Sequence, residues 1–195
     1  MKRLLLFVAL LLGASLAAQP IQVRIDTDLG PIQIQLERDN APRTVANFLR
    51  YVDAKAYDGG RFWRTVRLDN QPDKPVKIEV IQGGAAREDK DFPPIALERT
   101  RDTGLRHLDG TLSMARAEPD TATNEFFICI GDQPELDFGG KRNPDGQGFA
   151  AFGRVVRGME VVRKIQARPD KEQALLRPVR ILSVQRLPAR LGTKR

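Results

Sequence analysis

The sequence predicts a mainly β domain of about eight antiparallel strands and two helices, and three observations carry that reading. Short segments alternate apolar and polar residues, the period of half-buried strands, as in Ile21-Gln22-Val23-Arg24-Ile25-Asp26. Only two stretches space their apolar residues as one face of a helix. Strands and helices do not alternate along the chain, so no parallel sheet is indicated. Periodicity permits a sandwich as readily as a barrel, which leaves no free edge.

Residues 1–18 combine basic Lys2-Arg3, an apolar run from Leu4 to Leu12, and small residues Gly13, Ala14, Ser15, Ala17 and Ala18 before Gln19-Pro20. That pattern reads as a cleavable secretory signal, giving an exported protein, periplasmic or secreted. The run is well short of the ~20 residues of a membrane-crossing helix, so no span is expected once it is removed. No cysteine directly follows it to take a lipid. The remaining chain, ~177 residues, suits one domain with a real core. Residues 19–187 form that domain, and 188–195 a small basic tail.

Ile21 to Asp28 and Ile32 to Glu37, joined at Leu29-Gly30-Pro31, form an opening hairpin. Asp39 or Asn40 is the expected cap of a helix with Pro42 in its first turn and Val45, Phe48, Leu49 and Val52 on one face. Tyr57-Asp58-Gly59-Gly60 is a turn and Arg61 to Val66 a strand. Arg67 to Lys77, polar and holding Pro72 and Pro75, reads as an exposed loop before a strand from Val76 to Ile81. Asp89 to Asp109 is a second long, charged connection. Thr111 to Ala115, Glu125 to Ile130, Phe149 to Val156 and Val179 to Leu187 supply further strands. Gly158 to Gln166 is the second helix.

Composition removes whole classes of chemistry. The single cysteine, Cys129, can form no internal disulfide and no cysteine zinc site. Inside Phe126-Phe127-Ile128-Cys129-Ile130 it reads as a small buried hydrophobe. His107 is the sole imidazole, in a loop-like stretch without other ligands, and reads as a surface or capping residue. No metal and no cofactor are expected. Without Lys2 and Arg3 the formal charge falls from +7 to +5, spread among acids, and the few aromatics sit in strand-like runs. No nucleic-acid partner is expected from that surface, and nothing suggests more than a monomer.

Thr111 to Gly131, together with Ala41 to Leu49, Phe62-Trp63-Arg64, Gln82-Gly83-Gly84 and Ala151 to Val155, resembles the cyclophilins, peptidyl-prolyl cis-trans isomerases. The tracts match in order from Ile21 to Leu187. The resemblance implies a closed eight-stranded antiparallel barrel capped by two α-helices, one over each open end. It implies isomerase activity on proline-containing segments of unfolded or folding exported proteins.

Turning an X–Pro bond breaks amide resonance against a barrier of ~18–20 kcal/mol, yet it moves no proton and makes no covalent bond. The site must hold the ring in an apolar pocket, grip the flanking backbone and favour the twisted imide over either planar form. As the bond twists, the nitrogen lone pair localises, and a guanidinium binds that state better than the delocalised one. The resemblance assigns this role to Arg64, with Gln82 orienting it and touching substrate backbone. It places Met114, Ala115 and Arg116 along the substrate groove, Phe127 at the proline ring, and Leu136 and Phe149 at further walls. On residue chemistry alone, Arg64 reads equally as a strand-edge arginine paired with an acid, and Met114 or Phe127 as plain core.

The chain departs from the family pattern at several positions. The connection 67–77 is longer, and Glu79-Val80 replaces a Phe-Met pair. Val80 then offers a smaller apolar wall, while Glu79 should face water or a basic neighbour. Trp63 stands where histidine is frequent. Glu135 stands where ligand-binding members carry tryptophan, which implies weak cyclosporin binding. Glu125 replaces a frequent glutamine, and an ion pair from it to Arg64 or Arg116 would restrain the guanidinium and reduce activity. The alternative reading is a cyclophilin-fold module that grips proline segments without accelerating them.

Overall fold

The structure is a computed structural model that describes residues 20–86 and 91–188. The expected leader, 1–18, and the expected tail after Pro188 lie outside the described residues. The described residues form nine strands: β1 Ile21–Thr27, β2 Gly30–Leu36, β3 Arg61–Val66, β4 Val80–Gly84, β5 Thr111–Met114, β6 Phe126–Cys129, β7 Ala150–Arg157, β8 Asp170–Lys171 and β9 Ala174–Arg186. Their order is β1-β2-β7-β5-β6-β4-β3-β9-β8, and β1 also pairs with β9. Eight strands therefore close into an antiparallel barrel, and β8 is a two-residue arm folded back on β9. The alternation at Ile21–Thr27 and Gly30–Leu36 is kept, with Val23, Ile25, Ile32 and Ile34 fully buried.

Helices α1 Pro42–Asp53 and α3 Met159–Gln166 sit at opposite ends of β2. At its start, Gly30 lies against Val161 of α3; at its end, the chain turns through Glu37 into α1. Phe48 of α1 meets Tyr57, Phe126 and Phe152 with ring centroids 5.2–5.6 Å apart, which anchors the helix in the barrel core. A third helix, α2 Thr100–Thr103, is a single turn ended by Gly104 at φ 74°.

Several sequence expectations are corrected. Neither Asp39 nor Asn40 caps α1: the N-cap is Ala41, without a side-chain cap. Because Pro42 has no N–H, the first donors are Arg43 and Thr44, and the Glu98 carboxylate accepts both at 3.1 and 2.7 Å, favourably placed at the positive end of the helix. The strand expected over Val76 to Ile81 is shifted to Val80–Gly84. Upstream, the Ile78 backbone is taken by the Gln71 amide, which donates to its carbonyl at 2.8 Å. Gly83 lies inside the strand, where a side chain would fall 2.7 Å from the Arg61 carbonyl oxygen. The loop 67–77 is not a simple exposed excursion either. Gln71 is 1% exposed, and Arg67 is tied to Asp170 at 2.6 Å and to the carbonyl of Gln166 at 3.1 Å.

Candidate active site

A β-bulge aims the central arginine. Phe62 and Arg64 would share a face in a regular strand, but the register of β3 shifts between them against both β4 and β9. Phe62 therefore enters the core, fully buried, while Arg64 emerges half-buried opposite Gln82.

The Arg64 guanidinium is held by neutral oxygens. Its Nη1 donates to Gln82 Oε1 at 2.9 Å, and its Nε and Nη2 both donate to Gln173 Oε1, at 3.1 and 2.6 Å. Gln173 is itself fixed: its Nε2 donates to the Asn70 carbonyl, its backbone N–H to Asp170, and its carbonyl accepts from Thr65 N–H. Among the described residues, no carboxylate touches Arg64. Burial lowers its pKa and the field of Glu125 raises it, and the group stays cationic. Of its five N–H donors, two have no partner among the described residues and can meet a ligand.

Beyond its field, Glu125 is linked to Arg64 through an amide. It accepts from Trp63 Nε1 at 2.9 Å and from Gln82 Nε2 at 2.6 Å, so the expected ion pair with Arg64 or Arg116 is replaced by a relay through Gln82. Arg116 has another partner. Its guanidinium meets both oxygens of Asp145 at 2.8 and 3.0 Å, donates to the Gly148 carbonyl and lies over the Phe149 ring at 5.1 Å. That contact holds the Asp145 carboxyl below the usual carboxylate range. Glu79 accepts from Gln166 Nε2 at 3.1 Å rather than from a basic neighbour.

Beside Arg64 lies a cavity of about 330 Å³ whose apolar wall is Ile78, Val80, Phe127, Leu136 and Phe149. Phe127 and Phe149 meet edge to face at 5.3 Å. A second cavity of about 390 Å³ shares Gln82, Ala115 and Arg116 with the first, so one groove runs past the pocket. A larger cavity of about 590 Å³ lies across the Trp63–Glu125 bond and has neither Arg64 nor the apolar wall.

His107 is not at the surface but under the pocket. It is 1% exposed and stacks on Phe127 at 6.0 Å, with Nδ1 2.7 Å from Asp137 and Nε2 2.9 Å from Ser113 Oγ. The spacing is that of a serine–histidine–aspartate triad, but Ser113 is fully buried and no substrate reaches its hydroxyl. The array instead braces Phe127 from behind. Cys129 is the buried hydrophobe expected, its thiol pushed far up by burial.

The sequence model described as cyclophilin type peptidyl-prolyl cis-trans isomerase/CLD matches residues 22–186. The chain belongs to the cyclophilin family. This cyclophilin is 34% identical over 195 residues to a peptidyl-prolyl cis-trans isomerase of Acinetobacter baylyi, covering 95% of each chain. It is 38% identical over 154 residues to peptidyl-prolyl cis-trans isomerase A of Dickeya dadantii, covering 76% of this chain and 73% of that one. A cyclophilin-type isomerase of Cryptosporidium parvum shares the fold with a TM-score of 0.69 at 22% identity, over 87% of this chain and 98% of that one. That protein's structure was also determined in the presence of the dipeptide Ala-Pro, with a TM-score of 0.67 at 23% identity, over 84% of this chain and 97% of that one.

In this cyclophilin, Arg64, Val80, Gln82, Ala115, Arg116, Phe127, Leu136 and Phe149 all line the pocket. Met114 does not: it is 1% exposed and packs in the main core with Phe126 as its register partner. Glu125 is absent from the proline pocket and lines the adjoining groove with Gln82, Ala115 and Arg116. Gln173, Arg142 and Lys74 complete the site without a sequence signal. Gln173 closes a two-residue hairpin in which it and Glu172 have φ of 72° and 52°, positions usually marked by Asn-Gly.

Proposed function

We propose that this isomerase turns X–Pro bonds by non-covalent stabilisation of the twisted imide through Arg64. The proline ring packs on Phe127, Val80, Leu136 and Phe149. The flanking backbone runs along Gln82, Ala115 and Arg116. The observation that carries this reading is the anchoring of Arg64 by two glutamine oxygens, which fix its direction without cancelling its charge. Its two remaining N–H groups then meet the localising lone pair or the prolyl carbonyl, an interaction stronger in the twisted state than in the planar ones. Its substrates are proline-containing segments of unfolded or folding exported proteins, for which the slow proline step limits folding. The leader at residues 1–18 supports export, and a monomer suffices because one chain supplies every group of the site.

The test is protease-free exchange spectroscopy on a short Ala-Pro peptide. Acceleration by the parent, lost in Arg64→Ala while peptide binding persists, is the expected result. Binding without acceleration in the parent would show a module that only grips proline segments.

A further inference from the structure

The pocket is bordered by four cations, Arg64, Lys74, Arg116 and Arg142, and by no carboxylate among the described residues. Among the described residues only Arg116 is neutralised, by Asp145 just outside the wall. Lys74 and Arg142 form no ion pair among the described residues, and Glu135 nearby uses its carboxylate on the Lys141 backbone N–H.

Arg142 is held at one edge only. Its Nη1 donates to Gln71 Oε1 at 2.8 Å and to the Val76 carbonyl at 2.7 Å, both neutral acceptors. Its Nε and Nη2 donors have no partner among the described residues, and the group is half-buried in the pocket wall. Burial lowers its pKa, and the like charge of Arg64 lowers it further. An anion seated beside Arg142 relieves that repulsion. A planar fork with one free edge suits a carboxylate, and Lys74 adds a second, mobile charge at the same rim.

We infer that Arg142 and Lys74 form a subsite for a carboxylate side chain, so that the preferred substrates carry Asp or Glu next to the proline. The inference rests on the proline-pocket reading above. It names what the pocket rim selects, on the side away from the groove that Gln82, Ala115 and Arg116 share.

The experiment measures exchange rates for Ala-Xaa-Pro-Ala and Ala-Ala-Pro-Xaa peptides, with Xaa as Glu, Gln, Lys or Ala, at low and raised salt. The Glu peptide should exceed its Gln isostere by about tenfold in kcat/KM at one of the two positions, the gain of a charge-assisted contact. The two peptide frames identify whether the residue before or after the proline is read. The Glu-to-Gln ratio should fall to near one in Arg142→Gln and to an intermediate value in Lys74→Gln. It should also shrink as salt rises. Because each ratio is taken within one variant, partial misfolding does not alter it. Equal rates for Glu and Gln peptides at both positions, or a ratio that survives Arg142→Gln, overturn the subsite while leaving the isomerase reading intact. Failure to accelerate the Ala peptide overturns the isomerase reading itself.

Discussion

Arg64 on β3 and Arg116 just after β5 border the same pocket, and they are anchored by opposite chemistry. Arg116 is clamped by both oxygens of Asp145, which orients it and cancels its charge. Arg64 is clamped by the side-chain oxygens of Gln82 and Gln173, which orient it and leave the charge intact. Both give rigidity; only one leaves a field for a ligand. An ion-paired guanidinium is a wall, whereas an amide-held one is a tool.

Removing each arginine should separate the two roles most widely. Arg64→Ala should lower kcat/KM for an Ala-Pro peptide about 10²- to 10³-fold, the loss typical of a donor aimed at developing charge. Arg116→Ala should weaken peptide binding instead, because it loosens the Phe149 wall and the backbone groove. Steady-state exchange rates beside peptide affinities read the split; equal losses of rate for the two variants would erase the distinction.

Loosening the clamp should cost less than removing the charge. Gln173→Ala leaves Arg64 with the Gln82 contact alone, and a rate loss of roughly tenfold is expected from misaimed donors. Peptide affinity should change little, which titration calorimetry can check.

The clamp also has an acid limit. Burial opposes the Asp170 charge, but hydrogen bonds from Asn70, Arg67 and the Gln173 N–H outweigh it, so the carboxyl titrates below its ordinary value. A depressed folded pKa means that its stabilisation is present above the unfolded value of ~3.9 and is lost as pH falls through the lower folded one. Amide exchange at Gln173 and Thr65 should therefore quicken in that acid window, and Asp170→Asn should quicken it at neutral pH. Unchanged protection in the variant would remove Asp170 from the clamp.

The smallest effect concerns Glu125. Its carboxylate acts on Arg64 by its field and through the bridging Gln82, without direct contact, so Glu125→Gln should raise turnover only about two- to threefold, the size of a screened field effect. A large gain would mean that Glu125 grips Arg64 directly in solution.

Much of this was legible in the residues. The alternation of β1 and β2, the apolar faces of α1 and α3 and the buried Cys129 follow from periodicity and composition. The closed barrel and most pocket-lining residues followed from the ordered cyclophilin tracts. What escaped was set by contacts between distant segments. The α1 cap comes from Glu98, the Ile78 backbone is satisfied by the Gln71 side chain, and His107 is buried by partners at Ser113 and Asp137. Gln173 reaches Arg64 across 109 positions from a hairpin lacking the usual turn residues. Met114 reads as groove in the sequence because it belongs to the same family tract as Ala115 and Arg116, which do line the groove; its own side chain is buried in the core.

The most direct test converts one anchor into the other. Gln173→Glu keeps the shape of the clamp but hands Arg64 a carboxylate, making it resemble Arg116. Exchange spectroscopy at saturating Ala-Pro peptide should then show kcat reduced roughly tenfold to a hundredfold with the fold intact. An unchanged or faster rate would contradict the claim that an uncancelled guanidinium charge drives the turn.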